Sequence, residues 1–389
     1  MAKSEKYFNI LLIIFSSLIG IFILNFLVDY LIYQKGYESK YYKKISNFNS
    51  KLEEINNTDE IIMPNIGSLI TNNKLTKIIK KENKIIFGNV PNSKIILCNE
   101  DGEYVYFNSD KFGFRNKNIN YNKQIFKNGE MPILIGDSFG LGVCIEDKIY
   151  LKDIKDKVIN LSVSGSGPIS QIALINEYLI NFKTNKIIWL YYEGNDLLDL
   201  EIEMKNLVFK NYLESIDNWP IYNYFENIND TELFLVNYIK NLKKGKFIEG
   251  TSFKEIRYGK DFSLSRLIKL TAIRNIFRNY KNTNNYGQSK KLNKYLDSFN
   301  ELNRVLLKNN IDVKFIFLPS YKTVARGKIS RSIQDLKKVL EINFENVEVH
   351  NFDEYIIKRL PKEKIYINPK SHFSHDAYRE LYSYIKNII

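Results

Sequence analysis

The sequence predicts an α/β protein: a doubly wound, mostly parallel five-stranded sheet, preceded by one transmembrane helix and interrupted by a helical insertion. Three observations lead there. The N-terminus carries a long uncharged apolar run. Five short apolar runs of β-forming residues then alternate with helical stretches. One connection between two of those runs is roughly ninety residues long, too long to be structureless in a compact domain.

The first run, residues 10–28, reads ILLIIFSSLIGIFILNFLV and holds no charge. At 1.5 Å per residue it spans ~28 Å, close to the hydrocarbon thickness of a bilayer. No small-residue cleavage site follows, so residues 1–33 are expected to be a retained anchor, not a signal peptide. The membrane is thus one expected partner, met through residues 10–28. Lys3 and Lys6 precede the run, and Lys35, Lys40, Lys43 and Lys44 follow it. By count the positive charge favours a cytoplasmic C-terminal domain, but a long domain translocates largely regardless of its charge. The expectation is a single-pass protein whose large domain lies outside the cytoplasm.

Residues 34–125 are expected to form a stalk and a strand-rich N-terminal region. The stretch from 34 to about 80 is polar, with one amphipathic segment near 45–55. Between 84 and 116, KIIFGNV, KIILCN and EYVYFN set β-formers between Asn, Gly and Pro, which predicts strands. Residues 126–389 are expected to form the main domain. Its strands are MPILIGD, VINLSV, KIIWLYYEG, VKFIFLP and VEVHNF, near-continuous apolar runs as in parallel strands covered on both faces. Helical stretches such as 170–182 and 289–309 separate them, which implies a doubly wound sheet. The insertion, 199–288, contains amphipathic pieces such as FSLSRLIKLTAIRNIFRNY and reads as a helical cap or a substrate-side insertion.

Composition narrows the function. A formal net charge of +13 invites a nucleic-acid partner, yet only ten of the 57 basic residues are Arg, and the Lys are scattered. Phosphate and base recognition lean on clustered Arg, whose planar fork binds oxygens in pairs. No nucleic-acid partner is expected. The two cysteines, Cys98 and Cys144, have no metal-ligand spacing, and whether they pair is left open by the sequence. His350, His372 and His375 are the only histidines. A metal site at His372 and His375 lacks a third ligand in a suitable pattern, and no metal or cofactor is expected.

The residues that carry chemistry sit at predicted strand ends. The first strand runs into Gly136-Asp137-Ser138-Phe139-Gly140, which exposes a serine hydroxyl at the carboxyl edge of the sheet, where open α/β folds bind ligands. The second ends in a glycine-rich stretch that includes Gly165, and the third in Glu193-Gly194-Asn195-Asp196. Near the C-terminus comes Ser371-His372-Phe373-Ser374-His375-Asp376, followed by a helix-like AYRELYSYIKNII. Each piece alone has an ordinary structural reading: a capping serine, turn glycines, a helix start, a loop histidine. Their joint occurrence in this order is the stronger signal.

In this set the chain resembles the SGNH hydrolases, a GDSL-like family of esterases, lipases and carbohydrate deacetylases. Ser138 matches the serine of its first block, Gly165 the glycine of its second, Asn195 the asparagine of its third and His372 the histidine of its fifth. The segment Asp110-Lys111-Phe112-Gly113-Phe114-Arg115-Asn116 resembles an element that some membrane-bound members carry before the first block. The resemblance covers about residues 131–200 and 310–389 and implies a flavodoxin-like sheet. It also implies acyl transfer through a serine ester, with Ser138 as nucleophile and His372 as its base. The oxyanion would be held by the Ser138 and Gly165 N–H groups and the Asn195 amide. The expected substrate is an acyl ester, in particular an acylated glycan or other cell-envelope ester, with water or a sugar hydroxyl as acceptor. A catalytically degenerate binding protein with the same fold is the alternative.

One feature departs from that pattern. The family usually has an acid two or three residues before the catalytic histidine, and here those positions are Lys370 and Pro369. Either a backbone carbonyl or an acid from elsewhere, with Asp353 as the candidate, is expected to orient His372.

Overall fold

The computed structural model describes residues 2–28, 62–65, 87–98, 100, 105–116, 131–182, 184–204, 286–368 and 371–389, together with 212, 233, 235, 236, 270 and 274. The stalk reading for 34 to about 80 lies outside them almost entirely, as does most of the insertion and the pair Pro369–Lys370. Within the insertion the described Tyr212, Leu233, Leu235 and Val236 are helical.

The chain divides into two compact units. In the first, Met1–Leu52 with Phe253–Gln288, the described element is α1 (Ala2–Val28). Tyr7–Leu27 has a mean hydropathy of 2.7 and leaves Leu11, Ile13, Phe15 and most other large side chains exposed. One N-terminal helix is therefore long and apolar enough to cross a membrane.

The second unit, Glu53–Ser252 with Ser289–Ile389, contains both sheets. The smaller is three-stranded: β1 (Ile62–Pro64) runs parallel to β2 (Lys94–Cys98), which pairs antiparallel with β3 (Val105–Asn108). Two of the three strands expected between 84 and 116 are there. Of the expected strand KIIFGNV, residues 84–86 lie outside the described residues, and the described 87–90 form a bend: Phe87 and Val90 are fully buried, and the Asn89 N–H bonds across to the Gly113 carbonyl at 2.8 Å. Its apolar residues anchor a loop against a loop.

The larger sheet is five-stranded and all parallel: β4 (Ile133–Ile135), β5 (Ile159–Asn160), β6 (Lys186–Tyr192), β7 (Asp312–Leu318) and β8 (Val347–His350), in the order β5-β4-β6-β7-β8. Between them come α2 (Ser138–Leu141), α3 (Pro168–Phe182), α4 (Asp196–Glu203), α5 (Tyr286–Lys308), α6 (Tyr321–Arg326) and α7 (Arg331–Asn343); α8 (Phe352–Arg359) and α9 (His375–Ile388) follow β8. Successive strand residues point to opposite faces, and here each face has its own core. Ile133, Ile135, Ile187, Trp189, Val313 and Phe315 pack with α3, α5 and α7. Leu134, Ile188, Leu190 and Ile316 pack with α8 and α9. That two-sided burial is why the strands read as unbroken apolar runs. The order reverses at β4, so the connections out of β4 and β6 leave a crevice at the carboxyl edge.

Candidate active site

Ser138 opens α2 straight after β4. The Asp137 carboxylate caps this short helix, accepting the Phe139 N–H at 2.9 Å. The serine is thereby fixed at the sheet edge, nine-tenths buried.

His372 arrives from the other end of the chain, in the loop between α8 and α9. The two sides of that loop are paired: Tyr366 bridges Phe373, and the Ile367 N–H bonds the His372 carbonyl at 3.1 Å. Phe373 is fully buried and the imidazole lies beside Phe139, with ring centroids 5.1 Å apart. The result is His372 Nε2 at 2.9 Å from Ser138 Oγ. Residues 234 apart in sequence meet in one hydrogen bond.

The group behind the imidazole is one that the sequence did not point to. Glu100, in the turn between β2 and β3, places Oε1 at 3.0 Å from His372 Nδ1, and its Oε2 accepts the His372 backbone N–H at 2.9 Å. A carboxylate gripping both the ring and the main chain fixes the orientation of the imidazole and keeps its proton on Nδ1, leaving Nε2 as the acceptor towards Ser138. Burial raises the Glu100 carboxyl, but the His372 charge and the hydrogen bonds outweigh it and leave Glu100 below its ordinary value. Burial lowers His372, but the charge and hydrogen bond of Glu100, with Asp137 behind, lift it above its ordinary 6.5.

Asp353 is not that acid. It lies in the first turn of α8 with both carboxylate oxygens 2.7 Å from Lys337 Nζ, in a buried ion pair with α7. Nor is a backbone carbonyl the partner of the ring. The physical reason is reach: Glu100, just past β2, meets the ring and the backbone of His372, whereas Asp353 is already committed to neutralising a buried lysine. His350 ends β8 with Nε2 3.2 Å from Glu348 Oε1, where burial lowers it. His375 begins α9 and stands outside the Ser138–His372 pair.

The two other predicted site residues stand in the loop after β5 and at the start of α4. Gly165 has φ +74, a left-handed conformation that favours glycine. Its loop is hung on the residue before Asp137: the Val163 N–H and the Ser166 hydroxyl both bond the Gly136 carbonyl, at 3.1 and 3.0 Å. Asn195 caps α4 without spending its side chain on the helix, and its buried Oδ1 has no hydrogen-bond partner among the described residues. Burial pushes Asp137 up, while the Phe139 N–H, the His372 charge and the Asn195 amide pull it down.

The GFRN element is explained as a clip. Arg115 is buried, donates to the Gly142 and Ile145 carbonyls at 2.7 and 2.8 Å, and lies 3.9 Å from the centre of the Tyr150 ring. Asn116 exchanges hydrogen bonds with the Asn160 backbone at 2.9 and 2.8 Å. The element thus ties the segment after β3 to the loop behind Ser138 and to the end of β5.

Glu100, Cys144 and His372 bring three potential ligand atoms within 4.8 Å of one another. Cys144, however, is disulfide-bonded. A sulfur in a disulfide has no thiolate to offer a metal, and His372 Nδ1 already holds Glu100. The cluster is a hydrogen-bonded chain, Glu100···His372···Ser138, beside a cross-link. The chain matches no protein-family model, and no curated protein matches it.

Proposed function

We propose that the chain is a serine acyl-ester hydrolase or O-acyltransferase of the SGNH type, acting through an acyl-enzyme on Ser138. The observation that carries the proposal is the relay Glu100···His372···Ser138, at 3.0 and 2.9 Å, at the carboxyl edge of a parallel sheet. His372 takes the proton as Ser138 Oγ attacks the ester carbonyl, then returns it to the leaving alcohol. The oxyanion is met by the N–H groups of Ser138 and Gly165 and by the Asn195 amide, donors that need no reorganisation as charge develops. Water or a sugar hydroxyl then attacks the acyl-enzyme, with His372 again as base. Glu100 supplies the acid absent before His372, which removes the main reason to read the site as degenerate.

The acylated substrate is a glycan or other cell-envelope ester in this reading, because an enzyme tethered by α1 acts on material made or exported nearby. The disulfide at Cys144 supports placing the catalytic unit outside the cytoplasm, since cytosolic thiols are kept reduced.

The test is p-nitrophenyl acetate turnover by the purified protein, with labelling by a fluorophosphonate probe. Turnover and labelling are expected, and both are expected to vanish in Ser138→Ala and His372→Ala. Activity that survives Ser138→Ala would refute the proposal.

A further inference from the structure

Glu203 closes α4, is fully buried, and stands apart from the Ser138–His372–Glu100 relay. It is nevertheless heavily engaged. Its Oε1 accepts the Gly167 N–H at 2.8 Å, and its Oε2 the Ile169 N–H at 2.9 Å. Oε1 also accepts the N–H of Ser170, at 3.3 Å, and the Ser170 hydroxyl. All of these donors belong to the few residues that follow Gly165 and start α3. The contact is close: a Cβ on Gly167 would stand 2.7 Å from Glu203 Oε2 and 2.8 Å from Asp199 Cβ. Glycine is what lets the loop approach.

α4 has Asn195 as its cap at one end and Glu203 as its last residue at the other. Its start is fixed by Asp196, which accepts the Tyr192 N–H at 2.8 Å. The clamp at its far end therefore couples the two segments that carry Gly165 and Asn195. We infer that Glu203 is a positioning residue for the oxyanion site, holding the Gly165 loop to the helix that begins at Asn195. This rests on the serine-ester reading above.

The chemistry explains why a carboxylate stands there. Two oxygens must both accept, from N–H groups at the positive end of a 15-residue helix. Burial pushes Glu203 up to about 7 even though the Ser170, Ile169 and Gly167 donors pull it down. A glutamine fills the same space but turns an NH2 group onto one of those backbone donors, so the loop must move or lose a bond.

The test uses the full-length protein in detergent. Glu203→Gln and Gly167→Ala are compared with the wild type for kcat and KM on p-nitrophenyl acetate, thermal midpoint, and affinity for phenylboronic acid. The boronate's tetrahedral adduct on Ser138 puts an oxygen where the oxyanion would sit. Both variants are expected to lose about 10–100-fold in kcat, with KM within about 2-fold and boronate affinity falling in parallel. A folded Glu203→Gln or Gly167→Ala protein with wild-type kcat and boronate affinity overturns the inference. So does a loss of activity that only tracks the fraction unfolded. Should Glu203→Gln fail to fold, Gly167→Ala, with the carboxylate intact, decides alone. A wild type that neither turns over nor binds boronate brings down the serine-ester reading itself, and the inference with it.

Discussion

Glu100→Gln changes one atom type and should separate an orienting acid from a bystander. In the native site Oε1 faces His372 Nδ1 at 3.0 Å, and Oε2 accepts the His372 N–H at 2.9 Å. The glutamine amide has one acceptor, so its NH2 must face either the ring or the backbone donor. Either the imidazole flips to the tautomer that cannot take the Ser138 proton, or its loop shifts. Loss of a triad acid costs about 10⁴-fold in kcat where the pair is fully enclosed. Here the carboxylate keeps 15% of its side-chain surface exposed, so water can replace part of it. A loss of about 10³-fold is expected, equivalent to ~4 kcal/mol of barrier. The pH profile gives a second readout. Glu100 raises His372 above 6.5, so the acid limb of kcat/KM, set by the fraction of neutral imidazole, should lie above that value in the wild type. Removing the charge should move the limb to lower pH while the plateau falls. p-Nitrophenyl acetate kinetics from pH 5 to 9 measure both. A Glu100→Gln enzyme within about 3-fold of wild type, with an unmoved acid limb, would refute the orienting role.

Asp353→Asn should act on stability and spare the chemistry: it leaves the buried Lys337 ammonium unpaired, at a cost of about 3–5 kcal/mol. Urea unfolding should reveal that loss while kcat per folded molecule stays near wild type; a kcat falling as in Glu100→Gln would return Asp353 to the site. Reducing the disulfide at Cys144 with dithiothreitol should lower activity, because Cys144 Sγ lies 3.9 Å from His372 Nδ1 and the cross-link braces the loops around the relay. Activity measured alongside thiol counting checks this, and a fully reduced enzyme of unchanged kcat would contradict it. On fractionation the full-length chain should stay in the pellet through a carbonate wash, and a chain beginning at residue 34 should not; recovery of the full-length chain as a soluble monomer would exclude the anchor.

The five parallel strands were legible because a strand buried on both faces must be apolar at nearly every position, as in Ile133–Ile135 and Lys186–Tyr192. At Phe87–Val90 buried apolar residues anchor a loop, since burial alone does not say which backbone pairs. Ser138 and His372 were legible because each sits in a short motif at a strand or helix boundary, and local sequence sets such boundaries.

Glu100 was not legible, and the reason is physical. An orienting carboxylate needs only to reach an imidazole nitrogen, and nothing in that requirement fixes its distance along the chain. The nearest hint was indirect: Glu100 lies two residues past Cys98, and Cys144 six past Ser138, so joining the two cysteines would have brought the acid to the serine. The sequence by itself determined the strands, the apolar N-terminal helix and the order of the motifs, because these depend on the pattern of neighbours. Only the tertiary structure decided which acid pairs with His372 and that Asp353 pairs with Lys337. Those choices depend on which distant surfaces the packed sheets bring within 3 Å of each other.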